Sequence, residues 1–311
     1  MENQQKVKKP KKGEYRQRAH VNPFSDAVTI EYPPSPDWVD WSLHFPSFFG
    51  REEEKGGKLP LNTLENPVHY PHPVAPELNG SGGKSVEIVD VGCGFGGLTV
   101  ALGSVFPSTL ILGMEIRDKV TNYVGERIRS LRSGAGDVNS PEDEEGGGGG
   151  GEEGKEKGGE GGDGSSSGVS AGEVSGGGKA QTEEKPGVSS GSSSDYRYGN
   201  VSVMRQNVMK NCANYFRKGQ VSCSTLLSVY AYSLRIGGLL YTVTDVEDLH
   251  KWMKKACSEH PLFEEVTEDQ LKEDPCVRLM MTATEESKKV ARGGLPMFPA
   301  VFKRVPPPPI S

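Results

Sequence analysis

The chain has 311 residues and a mass of 33.5 kDa, which suits one large domain or two small ones. Its net charge of −6 argues, taken whole, against a general nucleic-acid binder. Residues 133–195 alone hold 14 acids and four lysines, however, leaving the other 248 residues at +4 and a polyanionic partner open.

No apolar run approaches the ~20 residues of a membrane helix, and the N-terminus lacks the apolar core of a secretory signal. Five scattered cysteines form neither a C-x-x-C pair nor a disulfide framework, and the six histidines show no ligand spacing. A reducing compartment and no metal are expected.

Residues 1–14 are polar, with Lys6, Lys8, Lys9, Lys11 and Lys12 inside seven positions. A solvated tail and a nuclear address or nucleic-acid-binding arm are both open there. Residues 15–84 read as an N-terminal extension. Its Pro- and Gly-rich part holds Trp38, Trp41, Phe45, Phe48 and Phe49, which suggests packing on a domain. Val86–Val91 is a short apolar run ending in glycines and reads as a buried strand. Residues 96–105 suit a helix and Thr109–Met114 a strand. Residues 117–132 suit an amphipathic helix with Val120, Tyr123, Val124, Ile128 and Leu131 on one face.

Residues 133–195 hold 21 of the 41 glycines and no Leu, Ile, Phe, Met or Trp. Such a segment cannot bury enough apolar surface to offset its ordering entropy, so a disordered acidic insertion is expected. Beyond it, Asn200–Met204 reads as a strand, 222–236 as a helix and Gly238–Thr244 as a strand. Residues 245–258 suit a helix with Leu249, Trp252 and Met253 inward. Val277–Met281 and Phe298–Arg304 read as two closing strands. Alternation of strands and helices predicts an α/β domain with a doubly wound parallel sheet, formed by 85–132 and 196–305.

The sharpest local feature is Asp90-Val91-Gly92-Cys93-Gly94-Phe95-Gly96-Gly97, between a strand and a helix. Gly92, Gly94 and Gly97 satisfy the dinucleotide pattern G-x-G-x-x-G. Gly92, Gly94 and Gly96 satisfy G-x-G-x-G with Asp90 two residues ahead, a form typical of S-adenosylmethionine (SAM) sites. A carboxylate beside the loop suits a cationic amino-acid moiety and is unwelcome near a pyrophosphate, which favours SAM. A glycine turn with no ligand is the bland alternative. Glu115 ends the second strand, 23 positions after Gly92, where a carboxylate accepts hydrogen bonds from ribose hydroxyls. A surface acid capping the next helix is its plain reading. Asn207 follows the third strand, within reach of an adenine edge, but Asn is common after strands. A nicotinamide-dependent oxidoreductase would use the same loop and Glu115, yet it needs a separate acid–base group, and no candidate His or Tyr-x-x-x-Lys follows a later strand.

Further motifs carry a resemblance. They are Tyr15-Arg16-Gln17-Arg18-Ala19-His20 with Asn22-Pro23, Asp40-Trp41 with Phe45-Pro46, and the glycine loop. Then come Leu112-Gly113-Met114-Glu115-Ile116-Arg117, Asn207-Val208-Met209-Lys210 and Tyr241-Thr242-Val243-Thr244-Asp245-Val246. Thr284-Glu285-Glu286-Ser287-Lys288-Lys289 and Phe298-Pro299-Ala300 complete the set. In these the chain resembles the catalytic subunit of eukaryotic tRNA (guanine-N7-)-methyltransferases, from Gly13 to about Val305 apart from the insertion. The resemblance implies a SAM-dependent methyltransferase fold and formation of 7-methylguanosine in the variable loop of tRNA. It implies that Gly92, Glu115, Ile116, Asn207 and Val208 line the SAM pocket and that Thr284, Glu285 and Glu286 close it. Arg16, Arg18, His20 and Lys289 would face tRNA. A WD40-repeat, non-catalytic partner subunit and a nuclear location are also implied.

One departure bears on activity. In the family, the segment after Lys218-Gly219-Gln220 runs into an apolar strand and a Pro-Asp-Pro-His-Phe loop, followed by a basic stretch. The loop Asp is given the catalytic role. Here Gln220 is followed at once by Val221-Ser222-Cys223-Ser224-Thr225-Leu226-Leu227, and no Pro-Asp-Pro occurs in the chain. Between Arg217 and Cys223 the only apolar residue is Val221, too little for a strand of ~5–6 residues. The sheet is expected to be short of one central strand, the chain to lack its catalytic residue, and turnover to be absent or weak. A non-catalytic RNA- or partner-binding protein with a degenerate SAM pocket is the alternative this gap raises.

Overall fold

The computed structural model describes residues 9–18, 21–23, 30–51, 57–134, 198–217 and 227–309. The expected insertion falls almost wholly outside them, as do Lys6, Lys8, His20 and the 218–226 junction.

Three parallel strands form the first sheet: β1 (Val86–Val91), β2 (Leu110–Glu115) and β3 (Val201–Arg205), in that order. β2 pairs Val91↔Met114 with β1 and Met114↔Met204 with β3, so the three carboxyl ends leave at one edge. All residues of β2 and β3 are buried. That suits near-continuous apolar runs in a sheet covered on both faces.

Helix α2 (Gly97–Val105) follows the glycine loop, and α3 (Asp118–Arg132) lies against β3. Val120, Tyr123, Val124, Ile128 and Leu131 are all buried on α3, as their spacing predicts. Four of them, Tyr123, Val124, Ile128 and Leu131, lie in one cluster with Val100, Val201 and Val203. A second cluster contains α1 (Trp41–His44), which brings Trp41 into a stack with Phe216, ring centroids 5.9 Å apart. Trp41 and Phe45 are fully buried there, and Trp38, Phe48 and Phe49 pack partly buried against the same cluster.

After β3 come α4 (Val208–Asn211) and α5 (Leu227–Ser233), then β4 (Leu239–Thr244) and α6 (Glu247–Ser258). The chain closes with β5 (Phe263–Glu265), α7 (Glu268–Leu271), α8 (Pro275–Thr282), α9 (Glu285–Arg292) and β6 (Phe298–Arg304). β6 runs antiparallel between β4 and β5, forming a second three-stranded sheet.

Two expectations are corrected. Val277–Met281 is not a strand but the body of α8. The Asp274 carboxylate accepts from the Cys276 amide (2.8 Å), Pro275 sits in the first turn, and Met280 turns inward. Second, Leu249 and Trp252 do not face inward on α6. They are 43% and 66% exposed, and only Met253 of the three lines an interior cavity. α6 packs on β4, β5 and β6 with its other side. Among the described residues no strand joins β1 to β4, in keeping with a sheet short of one central strand.

Candidate active site

The site is built at the carboxyl edge of β1–β3. Chain reversal after β1 needs left-handed backbone at Gly92, Gly94 and Gly96 (φ 69°, 55° and 74°), which L side chains rarely adopt. The amides of Gly92 and Cys93 donate to the Met114 carbonyl (2.7 and 3.1 Å), tying the loop to β2. Gly97 answers a different demand. A methyl group there would run into the Ala283 carbonyl oxygen, so only glycine lets the start of α2 meet the chain entering α9. That contact brings the loop and Thr284 together from distant parts of the sequence.

Glu115 is buried, and its carboxylate is fully engaged. Oε2 accepts from the Gly94 amide (3.0 Å) and from Arg117 Nη2 (2.9 Å). Oε1 accepts from the Arg117 amide and Nε, both at 3.0 Å. The Glu115 hydrogen bonds hold the Arg117 guanidinium above its usual pKa, although burial opposes this. Arg117 and the Gly94 amide together thus engage both carboxylate oxygens.

Asp90 accepts a hydrogen bond from Thr99 Oγ1 (2.6 Å). Burial pushes its carboxyl up to about 6; the Thr99 hydroxyl opposes this and the nearby Glu115 charge adds to it. At the end of β3, Asn207 Nδ2 donates to the Pro23 carbonyl (2.7 Å) while its Oδ1 is buried without a partner. Both ends of the neighbouring Gln206 amide are likewise buried and unmatched, a feature sequence reasoning missed. Unmatched buried polar atoms beside a ligand-shaped edge are what a bound polar group would satisfy.

The remaining expected residues separate. Gly92, Thr284 and Glu286 line one cavity of about 350 Å³, together with Asp90. Thr284 caps α9, accepting from the Ser287 amide (2.9 Å). Glu285 instead pairs with Lys12 (2.8 Å), whose Nζ also lies 5.8 Å from the Phe95 ring centre. Ile116 is half-buried beside Glu115. Val208 faces the core with Met204 and Phe216. Arg16 and Arg18 are exposed, following Tyr15, which meets Tyr123 edge-on (5.6 Å). Lys289 is exposed on α9, 3.3 Å from Glu286.

Among the described residues no group of three or more His, Cys, Asp or Glu could hold a metal ion. None of their helices is long and apolar enough to cross a membrane.

Comparison with known proteins follows the same lines. A family described as "Putative methyltransferase" matches residues 84–138 and 221–300. The tRNA (guanine-N(7)-)-methyltransferase of Mus musculus is 38% identical over 317 positions, covering 95% of this chain and 91% of its own. Its counterparts in Candida glabrata and Arabidopsis thaliana are 40% and 36% identical, covering 97% and 95% of this chain and 84% and 92% of theirs. Among solved structures, an antibiotic-related methyltransferase overlays on 72% of this chain and 90% of its own, with a TM-score of 0.36 and 13% identity. The mouse alignment has a further property. Its 317 positions exceed the roughly 295 that 95% of this chain supplies, so about 22 are filled by the relative alone. The Candida glabrata alignment gives about 20 in the same way.

Proposed function

The chain belongs to the tRNA (guanine-N7)-methyltransferase family, and from that premise we infer that its glycine-loop edge holds SAM for methyl transfer to N7 of a guanine in tRNA. The observation that carries the reading is Glu115, buried at the end of β2 and hydrogen-bonded to the loop amide of Gly94. The residues present fit the cofactor. Glu115 offers two acceptor oxygens to a ribose once Arg117 yields them. Asn207 Oδ1 and the Gln206 amide offer unmatched polar atoms for a base. Asp90, Thr284 and Glu286 surround the cavity at the amino-acid end. When bound, SAM supplies a methyl group on a sulfonium, with a good leaving group already in place.

The work of the protein is then placement. Guanine N7 has a free lone pair, so no strong base is required to make it nucleophilic. The glycine loop and Glu115 fix one reactant, and a dry pocket must present the other in line. Arg16, Arg18, His20 and Lys289 are proposed to meet tRNA phosphates, with affinity that falls as salt rises. A WD40-repeat partner subunit and a nuclear address on the lysine-rich start belong to the same proposal.

We also propose that the chain as it stands turns over slowly or not at all. Two observations support this. Gln220 is followed at once by Val221-Ser222-Cys223-Ser224, with no apolar strand and no Pro-Asp-Pro loop between. The two sheets share no strand among the described residues. A protein that binds SAM and RNA without turnover is therefore the second reading.

The test is a single-turnover assay with labelled SAM and transcribed tRNA, run beside a chain carrying the mouse segment between Gln220 and Val221. Methylation by the extended chain, mapped to guanine N7 by base-specific cleavage, is expected. Equal rates for both chains would remove the inactivity claim. Cofactor binding with no N7 methylation by either would remove the family reaction from this chain.

A further inference from the structure

One face of α3 grips the tip of the glycine loop. Tyr123 meets the Phe95 ring edge-on, with ring centroids 5.2 Å apart. Val124 packs so closely on Gly96 that an added methyl group there would lie 2.7 Å from Val124 Cγ1. Arg127, one turn beyond Tyr123, donates from Nη1 to the Phe95 carbonyl (3.0 Å). The nitrogen of the same peptide is also held, because the Gly96 amide donates to the Cys93 carbonyl (2.9 Å). The Phe95–Gly96 peptide is thus pinned at both ends, between two left-handed glycines, Gly94 and Gly96.

Arg127 is more deeply buried than this single contact explains. It is 8% exposed, yet no carboxylate pairs with it among the described residues. The adjacent Glu126 is taken by Arg129 (2.7 Å). The other buried arginines are better matched: Arg205 lies 3.7 Å from Asp118, and Arg304 donates to the carbonyls of Ala231 and Val305. A buried cation without a counter-charge is costly, and a neutral donor would serve one carbonyl as well. The charge therefore calls for an anion nearby. The next backbone donors along the chain supply a place for one. The amides of Gly97 and Leu98, which open α2, donate to no group among the described residues. Leu98 lines the same cavity as Asp90 and Thr284. Free amides at a helix start favour a carboxylate.

We propose that Arg127 is a positioning residue for the cofactor. By fixing the Phe95–Gly96 peptide it turns the amides that open α2 toward the amino-acid carboxylate of SAM, and its charge adds to their attraction. The inference deepens the reading of this edge as a SAM site and rests on it. Arg127 acts through the Phe95 carbonyl, so what it sets is the grip on the amino-acid end, not the chemical step.

The test compares two ligands on the full chain by isothermal titration. S-adenosylhomocysteine carries the amino-acid carboxylate; methylthioadenosine keeps the nucleoside and lacks it. Arg127→Gln removes the charge. It should weaken S-adenosylhomocysteine at least about tenfold and methylthioadenosine less than about threefold. Arg127→Lys keeps the charge and one donor, and should bind S-adenosylhomocysteine within about threefold of wild type. Without any ligand, amide exchange at Phe95–Leu98 should quicken in Arg127→Gln and stay unchanged in β3. A residue that only supported the fold would weaken both ligands alike and loosen β3 as well.

Equal losses for the two ligands, no loss for either, no recovery in Arg127→Lys, or unchanged exchange at Phe95–Leu98 would each overturn the proposal while leaving the SAM reading in place. Failure of the wild-type chain to bind either ligand would overturn the SAM reading, and the role of Arg127 with it.

Discussion

Replacement of Glu115 by Gln tests whether the buried carboxylate organises the site. Wild-type Glu115 accepts four hydrogen bonds: one from the Gly94 amide, and three from Arg117. Gln keeps one acceptor oxygen and turns an NH2 toward donors already aimed at it. About half of the contacts are lost, and the Arg117 guanidinium keeps its charge without its partner. The side chains of Arg117 and Glu115 are 15% and 4% exposed, so little water can replace what is lost. Removing one partner of a buried pair costs about 3–5 kcal/mol. Partial access to Arg117 lowers the expectation to about 2–4 kcal/mol. Urea unfolding at pH 7.5 should show a lower midpoint with an unchanged slope. Titration with S-adenosylhomocysteine should weaken at least tenfold, since the proposed ribose contact loses one of its two acceptor oxygens. A stability loss below about 0.5 kcal/mol, with unchanged ligand affinity, would falsify the assignment of Glu115 as the organising group.

Three further outcomes can be checked by unfolding experiments. Asp90, whose carboxyl is pushed up to about 6, remains protonated in the folded state while its unfolded counterpart ionises, so its contribution falls as pH rises from about 4 to 6. Asp90→Asn keeps an acceptor for Thr99 and should gain about 1–3 kcal/mol on wild type above pH 6, but little at pH 4; a pH-independent difference would refute the shift. His44 is buried, and burial followed by the Arg132 charge lowers its pKa to about 3. Its contribution is therefore complete above about pH 6.5 and is lost as pH falls below that value; His44→Gln should remove about one proton's worth of slope, near 1.4 kcal/mol per pH unit between about pH 6 and 4. An unchanged slope would refute the burial of a neutral imidazole. Gly97→Ala should cost about 1–3 kcal/mol by driving a methyl group against the Ala283 carbonyl, with cofactor affinity falling as Thr284 is displaced; unchanged unfolding and unchanged affinity would refute the contact.

Much of this architecture was legible in residue patterns. Val86–Val91 and Phe298–Arg304 begin and end as their apolar runs dictate, and α3 buries the five residues its spacing selects. The glycine loop and Glu115 were readable because their chemistry is local: a turn, a strand end and a fixed interval. What failed depended on partners. Val277–Met281 carries strand-forming residues, yet Asp274 and Pro275 set a helix start that outweighs them. The apolar side of α6 has the period of an inward face, but the helix packs on β4, β5 and β6 with Cys257 buried and leaves Leu249 and Trp252 exposed. The Arg117–Glu115 fork and the unmatched Gln206 amide depend on tertiary placement, which periodicity does not encode.

Loss of a central strand need not affect cofactor and catalysis equally. Glu115, Gly92, Gly94, Gln206 and Asn207 all sit on the intact β1–β3 half, tied by β2 hydrogen bonds to both neighbours. Thr284 reaches them through the Gly97–Ala283 contact, although Tyr241 of β4 also donates to Asp274 at the start of α8 (2.8 Å). Most of the proposed cofactor side therefore stands on the first sheet. The proposed guanine side does not, because the resemblance places the family's catalytic loop after Gln220, where this sequence has none. We expect S-adenosylhomocysteine to bind this chain within about tenfold of the chain with the segment inserted, a difference of at most about 1.4 kcal/mol. Methyl transfer should fall by at least about a thousandfold, about 4 kcal/mol of barrier. Isothermal titration and single-turnover rates on the two chains measure both. Equal losses in binding and turnover would mean that the cofactor edge depends on the missing strand, and that the independence of the two halves inferred from the sheet topology is wrong.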